Sequence, residues 1–539
     1  MGRSRTWIGA LLAMALLAAA CGNDEADDAA PDGEGAVDDT GAVVIEGEAD
    51  PDGVLRWGIN FENFLAQDQL SPAFSRNACE FVMFDYIYGA LVDFDKDNQA
   101  VPGLAESWEV VDPSTLEITL REGLRFSDGS PLTAQDVVNT IKAIQEGFPA
   151  RTTITTVNRV ATAEALDERT ARITTDGAWA QSILYALGGI AGMPAPPSVL
   201  DGTAELPIGA GPFRVESFTP GQRLVLVRNE YHHEQWQLGG ITFIDVDLGP
   251  ASATALETGE VDLVFLDGET SRRFTDAPWR VVRTPGHVLL TYNNLTLRVT
   301  APPLDDVRVR RAVNHAIDKE AVLQAALGGV GKITGQNFPP GSPWHLDELD
   351  DPYPYDPDQA RRLLEEAGVP EGTTLRVVYP GAAANVEQIR QAQLVQENLQ
   401  DVGFQVDLVP AVDTPAIISE FWLNPESHIF SAAIPGSPDP VATLDSKFGS
   451  SFQAQQTIGE RPDIQALLEQ ANERYDDEEG RREIIAEIVR LVVDEALEVP
   501  ISWRPRNVVF SSERLGGTVV AAKDVCDSVG LSEAFMLRQ

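Results

Sequence analysis

Few residues in this 539-residue chain combine the type and the spacing that chemistry requires. His232, His233 and Glu234 stand together, but a zinc-hydrolase helix needs a second histidine one turn beyond the glutamate, and none is there. Adjacent histidines near a strand end also point to opposite sides, so no metal is expected at this spot. His287, His315, His345 and His428 are scattered. There is no P-loop, no GxSxG elbow, no CxxC and no HExxH. Carboxylates are too abundant for any pair to mark a site, because a solvated acidic face accounts for them. Trp57, Trp108, Trp236, Trp344, Trp422 and Trp503 are spread along the chain, and a tryptophan is core more often than ligand platform. Gly328 and Gly329 follow a helical run and read as a stop, not a phosphate cradle. These residues predict no catalytic group, no resident metal and no cofactor.

The composition narrows the classes further. A chain this long exceeds one core and implies two or three lobes. Lys and Arg number 40 against 83 Asp and Glu, a formal charge of −43. That field repels phosphate backbones and anionic lipid headgroups, so neither nucleic acid nor a polybasic membrane contact is expected. It favours cationic or neutral ligands. At the N-terminus Arg3 and Arg5 precede an apolar run, residues 7–20, that ends in Ala18, Ala19 and Ala20 before Cys21. This reads as a signal peptide over residues 1–20, too short to span a bilayer. Cys21 after small residues resembles the bacterial lipoprotein box, with Ala18 where leucine is usual; an ordinary signal peptide cut nearby is the alternative. Residues 22–53 hold twelve carboxylates and no Lys or Arg, so 21–53 is read as a flexible acidic tether behind a lipidated Cys21. The protein is expected at the outer face of the cell membrane or in the periplasmic space. Of the three cysteines, Cys79 and Cys526 remain, and on residue type alone they are either a bridge or two buried thiols.

The elements come next. Leu116, Ile118 and Leu120 alternate with Glu117, Thr119 and Arg121 as on a strand. Ser127, Asp128, Gly129 and Ser130 form a turn, and Thr133 with Asp136 caps a helix bearing Val137, Val138, Ile141 and Ile144 on one face. Residues 78–92 read as one buried helix, 147–167 as a polar irregular run, and 207–233 as two strands joined at Pro220 and Gly221. Residues 241–248, 252–258 and 261–266 read as strand, helix, strand with parallel pairing. A stronger unit of the same kind spans strands 375–379 and 404–408 around a helix capped by Asn385 and stopped by Gly403. Asp356, Pro357 and Gln359 open a helix with a capping box, and Gly368 ends it. Helices over 463–475 and 481–495 precede a strand, 499–503, that returns to an earlier sheet.

Five phrases carry a resemblance, and they stand in order: LAESWEV, LREGLRFSDGSPLTAQDVV, PIGAGPFRVESFTPGQRLVLVRNEYHH, PPLDDVRVRRAVNHAIDKEAVL and YDPDQARRLLEEAG. The chain resembles the extracytoplasmic solute-binding proteins of family 5, which feed dipeptide, oligopeptide and nickel ABC importers. The resemblance implies an α/β fold of the periplasmic-binding-protein class II (cluster C) type: two α/β lobes around a ligand cleft, plus an inserted third lobe. Lobe I would take residues 54–90, 203–290 and 500–539, the inserted lobe II 91–202, and lobe III 291–499. It also implies a monomer that captures a peptide or peptide-like solute. Its partners would be the permease subunits of an importer whose ATPase subunits are separate chains, with the membrane reached through the lipid anchor only. Family topology sends Cys79 and Cys526 into one lobe, which implies a disulfide between them. A surface-anchored hydrolase and a binding module feeding a sensor kinase are the alternatives.

The resemblance also places a ligand site, and there the chain departs from its family. Peptide-binding members place an aspartate in the loop before an acidic-Pro pair, against the peptide's α-amino group. Counting back from Asp439 and Pro440, that position falls on Gly436, and the usual upstream aromatic falls on Ala433. A buried ammonium without its carboxylate costs several kcal/mol, so di- and tripeptides with free N-termini are expected to bind poorly. Phe61, Glu62, Asn63, Trp422, Gly436, Ser437 and Asp439 are the candidate contacts. Asp439, held before Pro440, is conformationally restricted.

Overall fold

The computed structural model describes residues 37–38, 41–61, 70–75, 80–147, 156–381, 386–521 and 529–538. All belong to one unit, Ala36–Gln539. Cys21, Cys79, Cys526, Glu62, Asn63 and Asn385 lie outside the described residues, as does the expected signal peptide.

An eight-stranded sheet runs in the order Val37–Asp38, Trp279–Arg283, Asn507–Ser511, Leu263–Leu266, Val54–Ile59, Gly240–Asp245, Arg223–Arg228, Phe213–Thr219. The strand–helix–strand unit around helix Pro250–Glu257 is present, but its two strands do not pair with each other. Each pairs in parallel with Val54–Ile59, which lies between them. Leu55, Trp57 and Ile59, alternate positions on one face, are buried, and on the other face Arg56 pairs with the buried Asp262 at 2.7 Å. Helical and strand periods reveal the unit; they do not say which strand fills the gap.

The signature stretch folds as its residues dictate. Ala105–Asp112, Thr115–Leu120, Thr170–Thr175 and Val160–Ala165 make a four-stranded antiparallel sheet. Gly129 takes a φ of +84°, and Asp128 Oδ1 accepts the Ser130 N–H at 2.9 Å. The Thr133 N–H and hydroxyl both donate to Asp136 Oδ2, at 2.8 and 2.9 Å, at the start of helix Ala134–Glu146. Val137, Val138, Ile141 and Ile144 are buried against the sheet.

A six-stranded sheet has the order Lys332–Ile333, Glu498–Trp503, Thr291–Leu297, Ile429–Pro435, Thr374–Pro380, Gln405–Ala411. Here the second strand–helix–strand unit pairs directly and in parallel, Thr374 to Pro380 against Gln405 to Ala411. Helix Val386–Asp401 crosses over it. Asp356 caps helix Pro357–Ala367 through the Gln359 N–H (2.8 Å), but the Gln359 side chain serves Arg362 instead of completing a box.

Three sequence expectations need correction. The helix placed at 78–92 is only Phe81–Tyr88, because Gly89 turns the chain at φ +64° into strand Val92–Phe94. The irregular run 147–167 holds strand Val160–Ala165, recruited by pairing with Thr170–Thr175. The tether is ordered in its C-terminal part: Ala42–Ile45 and Ala49–Asp50 join a five-stranded sheet with Leu515–Ala521 and Ala534–Leu537. The apolar quartet Ala42, Val43, Val44 and Ile45, masked in composition by flanking carboxylates, supplies the strand.

Candidate functional site

A cavity of about 260 Å³ opens between the segment that carries the four-stranded sheet and the six-stranded sheet. Phe94, Tyr185 and Ile190 form one wall; Thr296, the loop from Ile434 to Pro438, Lys447 and Glu498 form the other. Trp422 reaches it from Ile418–Trp422, a π-helical turn that swings the ring out of α register. The lining is mainly apolar and aromatic, as in small-molecule sites.

The loop is held from both sides. The Gly436 N–H donates to Leu290 O (2.6 Å), the Ser437 N–H to Thr443 Oγ1 (2.8 Å), and the Thr443 hydroxyl returns to Ser437 O (3.1 Å). A Cβ on Gly436 would stand 3.1 Å from Leu290 O and 3.2 Å from Thr443 Oγ1. The position therefore tolerates glycine at no cost and any side chain only by displacing a neighbour.

Among the described residues two charged side chains line the cavity, Lys447 and Glu498, and they face each other with Nζ 3.8 Å from Oε2. Lys447 donates to the Tyr292 hydroxyl, which in turn donates to Glu498 (2.8 Å to Oε1, 3.0 Å to Oε2). Asn294 Nδ2 donates to Glu498 Oε2 at 2.8 Å; Asn337 Nδ2 donates to the Tyr292 hydroxyl at 2.8 Å and to Glu498. Burial pulls the Lys447 ammonium down to about 8, against the opposing pull of Glu498, and pushes the Tyr292 hydroxyl well above its ordinary value. The site is a neutralised, hydrogen-bonded network beside an apolar space. It offers hydrogen-bonding and apolar surface for recognition.

Of the residues anticipated from sequence, Trp422, Gly436 and Ser437 line the cavity. Phe61 does not: it is buried in the core of the eight-stranded sheet, its N–H donating to Asp245 Oδ1 at 2.8 Å. Asp439 does not either. Its fully buried carboxylate caps helix Pro440–Phe448 through the Ala442 N–H (3.0 Å), pairs with Arg481 (2.6 Å) and accepts from the Ser182 hydroxyl (2.5 Å). Those partners, and the fixed φ of Pro440, hold it away from the cavity. Lys447, Tyr292, Glu498 and Tyr185 escaped sequence reading. One signal existed: Glu498 is the lone carboxylate in EVPISW, a strand buried at every position.

The same stretch that bears Ser182 meets the six-stranded sheet's helices a second time. Arg159 pairs with Asp445 at 3.2 Å and lies 4.1 Å over the Trp179 ring, and Trp179 packs with Phe338, Val441 and Leu444. Burial raises Asp445, with Arg159 opposing. At His232 and His233 burial lowers both imidazoles, His233 to about 4, where they are neutral at physiological pH. Among the described residues no three His, Cys, Asp or Glu side chains are grouped to hold a metal, and no helix is long and apolar enough to cross a membrane.

Comparisons with known proteins agree with this geometry. The nickel-binding periplasmic protein of Escherichia coli (strain K12) is 27% identical over 457 residues, covering 79% of this chain and 85% of that protein. The glutathione-binding protein GsiB of Salmonella typhi is 28% identical over 362 residues, 64% of this chain and 67% of that protein. Among solved structures, the periplasmic binding protein DppA of Helicobacter pylori in complex with the peptide STSA superposes with a TM-score of 0.76 at 20% identity, over 90% of this chain and 98% of that one. The fold is thus the two-lobed α/β binding-protein fold with an inserted third lobe. Residues 99–455, well over half of the chain, match the family described as Bacterial extracellular solute-binding proteins, family 5 Middle. By that membership the chain is a family 5 extracellular solute-binding protein, a binding protein and not an enzyme.

Proposed function

We propose that this protein captures a peptide-like or other small organic solute in the cavity beside Trp422 and Lys447 and delivers it to the permease of an ABC importer driven by separate ATPase subunits. The observation that carries this reading is an apolar cavity walled by two separate sheets' segments, whose charged residues, among those described, are Lys447 and Glu498. Lobes taken at 54–90 with 203–290 and 500–539, at 91–202, and at 291–499 put that cavity at a junction where hinge closure encloses a solute. The named relatives bind nickel, glutathione and peptide, so family membership leaves the solute open. Glycine at 436 supports the expectation that peptides with free N-termini bind weakly. Mass spectrometry of solute released by denaturing protein purified from its native source tests the reading. A stoichiometric small organic molecule supports it, and release of nothing from protein that also fails to support import ends it.

Two further parts rest on sequence. The diacylated N-terminus at Cys21 is supported by the apolar run and the Ala triplet before it, and Cys21→Ser is expected to leave the detergent phase for the soluble fraction. A Cys79–Cys526 bridge is expected to leave no alkylatable thiol in the denatured, unreduced, exported protein; two free thiols rule it out.

A further inference from the structure

A second, smaller cavity of about 40 Å³ adjoins the first, and Gly436, Ser437, Pro438 and Thr443 line both. Its volume exceeds the ~10–15 Å³ that one water needs, so it admits a small polar group. Asn337 and Trp503 line it, each only 2% exposed. Asn337 Oδ1 and Trp503 Nε1 find no hydrogen-bond partner among the described residues. The roles of these two atoms are fixed. Asn337 commits its Nδ2 to Tyr292 and Glu498, which leaves Oδ1 as an acceptor, and an indole N–H only donates. Asp97 and His287 also line this smaller cavity and meet at 3.2 Å, and Asp97 pairs with Lys96 at 2.8 Å.

Charge selects in the same direction. Lys447 and Glu498 neutralise each other through Tyr292, so among the described residues the larger cavity presents no free carboxylate for an ammonium and no free cation for a carboxylate. Burying either charge unpaired costs several kcal/mol. The chain's formal net charge of −43 opposes the approach of anions as well. A donor and an acceptor left unmatched, with no net charge, are the complement of a neutral amide, whose C=O takes the indole N–H and whose N–H meets Oδ1.

We propose, building on the reading of the larger cavity as the solute site, that the solute is an uncharged amide of about dipeptide size, cyclic or blocked at both ends. Its apolar body fills the space against Trp422, Tyr185 and Phe94, and its amide enters the smaller cavity between Trp503 and Asn337. Titration calorimetry on protein stripped by unfolding and refolding tests this with four probes: cyclo(Leu-Phe), its N,N′-dimethyl form, N-acetyl-Leu-Phe-amide and free Leu-Phe. The two neutral amides with intact N–H groups are expected to bind one to one. Free Leu-Phe is expected to be at least about tenfold weaker, and dimethylation to cost about fivefold or more, the worth of one neutral hydrogen bond. Trp503→Phe should weaken cyclo(Leu-Phe) by a similar factor; the dimethyl probe makes the same test on unmutated protein should that variant fold poorly. Free Leu-Phe binding as tightly as the neutral forms overturns the inference and leaves the solute-site reading standing. Binding by none of the four overturns the inference too, and a charged solute released from native-source protein then preserves the broader reading while release of none removes both. Indifference to dimethylation removes the amide subsite.

Discussion

The two ends of helix Pro440–Phe448 solve one problem in opposite ways. At its N-terminus Asp439 is paired with Arg481 at 2.6 Å; in its last turn Lys447 is paired with Glu498 at 3.8 Å. Asp439, Arg481 and Glu498 are buried and Lys447 nearly so, its side chain 10% exposed, and both pairs match the helix dipole. The first joins Ser182 of one segment to the helices of another and faces no cavity. The second lines the cavity. The cation also differs, and that difference is instructive: arginine cannot shed its proton, whereas a buried lysine can. The junction is held by a charge that is permanent. The cavity is lined by one that can be neutralised.

Removing the permanent charge should cost most. Arg481→Met leaves the buried Asp439 carboxylate without its countercharge, with the Ser182 hydroxyl and the Ala442 N–H as remaining donors, and a loss of about 3–5 kcal/mol is expected, read as a shift in the urea midpoint against wild type. A loss under about 1 kcal/mol would mean that the pair contributes little and that the contrast is false.

Lys447→Met should cost less, about 1–3 kcal/mol, because its pair is longer, 3.8 Å against 2.6 Å, its ammonium is already penalised by burial, and Glu498 keeps three uncharged donors, Tyr292, Asn294 and Asn337. A loss as large as that of Arg481→Met would place both ends on an equal footing.

The pH dependence sharpens the same contrast. Below pH 8 both folded and unfolded chains hold the Lys447 proton, and the penalty for burying the ammonium is fully present. Above about 8 the folded protein releases it, while the unfolded chain keeps it towards the ordinary 10.5. Unfolded chains then bind more protons, so stability rises with pH, by at most ~1.4 kcal/mol per pH unit per group. Lys319, also drawn down to about 8 by burial, contributes likewise. Above pH 10 the buried Tyr86, Tyr88 and Tyr292, all raised, reverse the trend. Thermal melts between pH 8 and 10 should show the rise, and Lys447→Met should remove the part not due to Lys319. An identical slope in that variant would detach Lys447 from the effect.

The smallest change is expected at Gly436→Ala, where the new methyl presses on Leu290 O and Thr443 Oγ1. A stability loss of about 1 kcal/mol and a few-fold loss of solute affinity are expected. Unchanged affinity would show that the loop yields without moving the cavity wall.

Several elements were legible because their causes are local. The Asp128–Gly129 turn, the Thr133–Asp136 cap and the Asp356 cap each depend on residues within a few positions. The stop at Gly89 was equally local and was overlooked, since the apolar run continues past it into Leu91 and Val92. In the ligand loop, counting residues named Gly436, Ser437 and Asp439 together; the first two line the cavity and Asp439 does not. Its partners Ser182 and Arg481 are 257 and 42 residues away, beyond any local pattern.

By itself the sequence determined the family, the α/β alternation, the acidic exterior and the helix caps, because composition, period and short-range hydrogen bonds are properties of the chain alone. The tertiary structure decided that Val54–Ile59 divides its strand–helix–strand unit, that Ala42–Ile45 is a strand, and that Lys447, Tyr292 and Glu498 converge on one cavity. Pairing across hundreds of residues is settled by which buried surfaces and unpaired polar groups find each other, and that selection has no local signature.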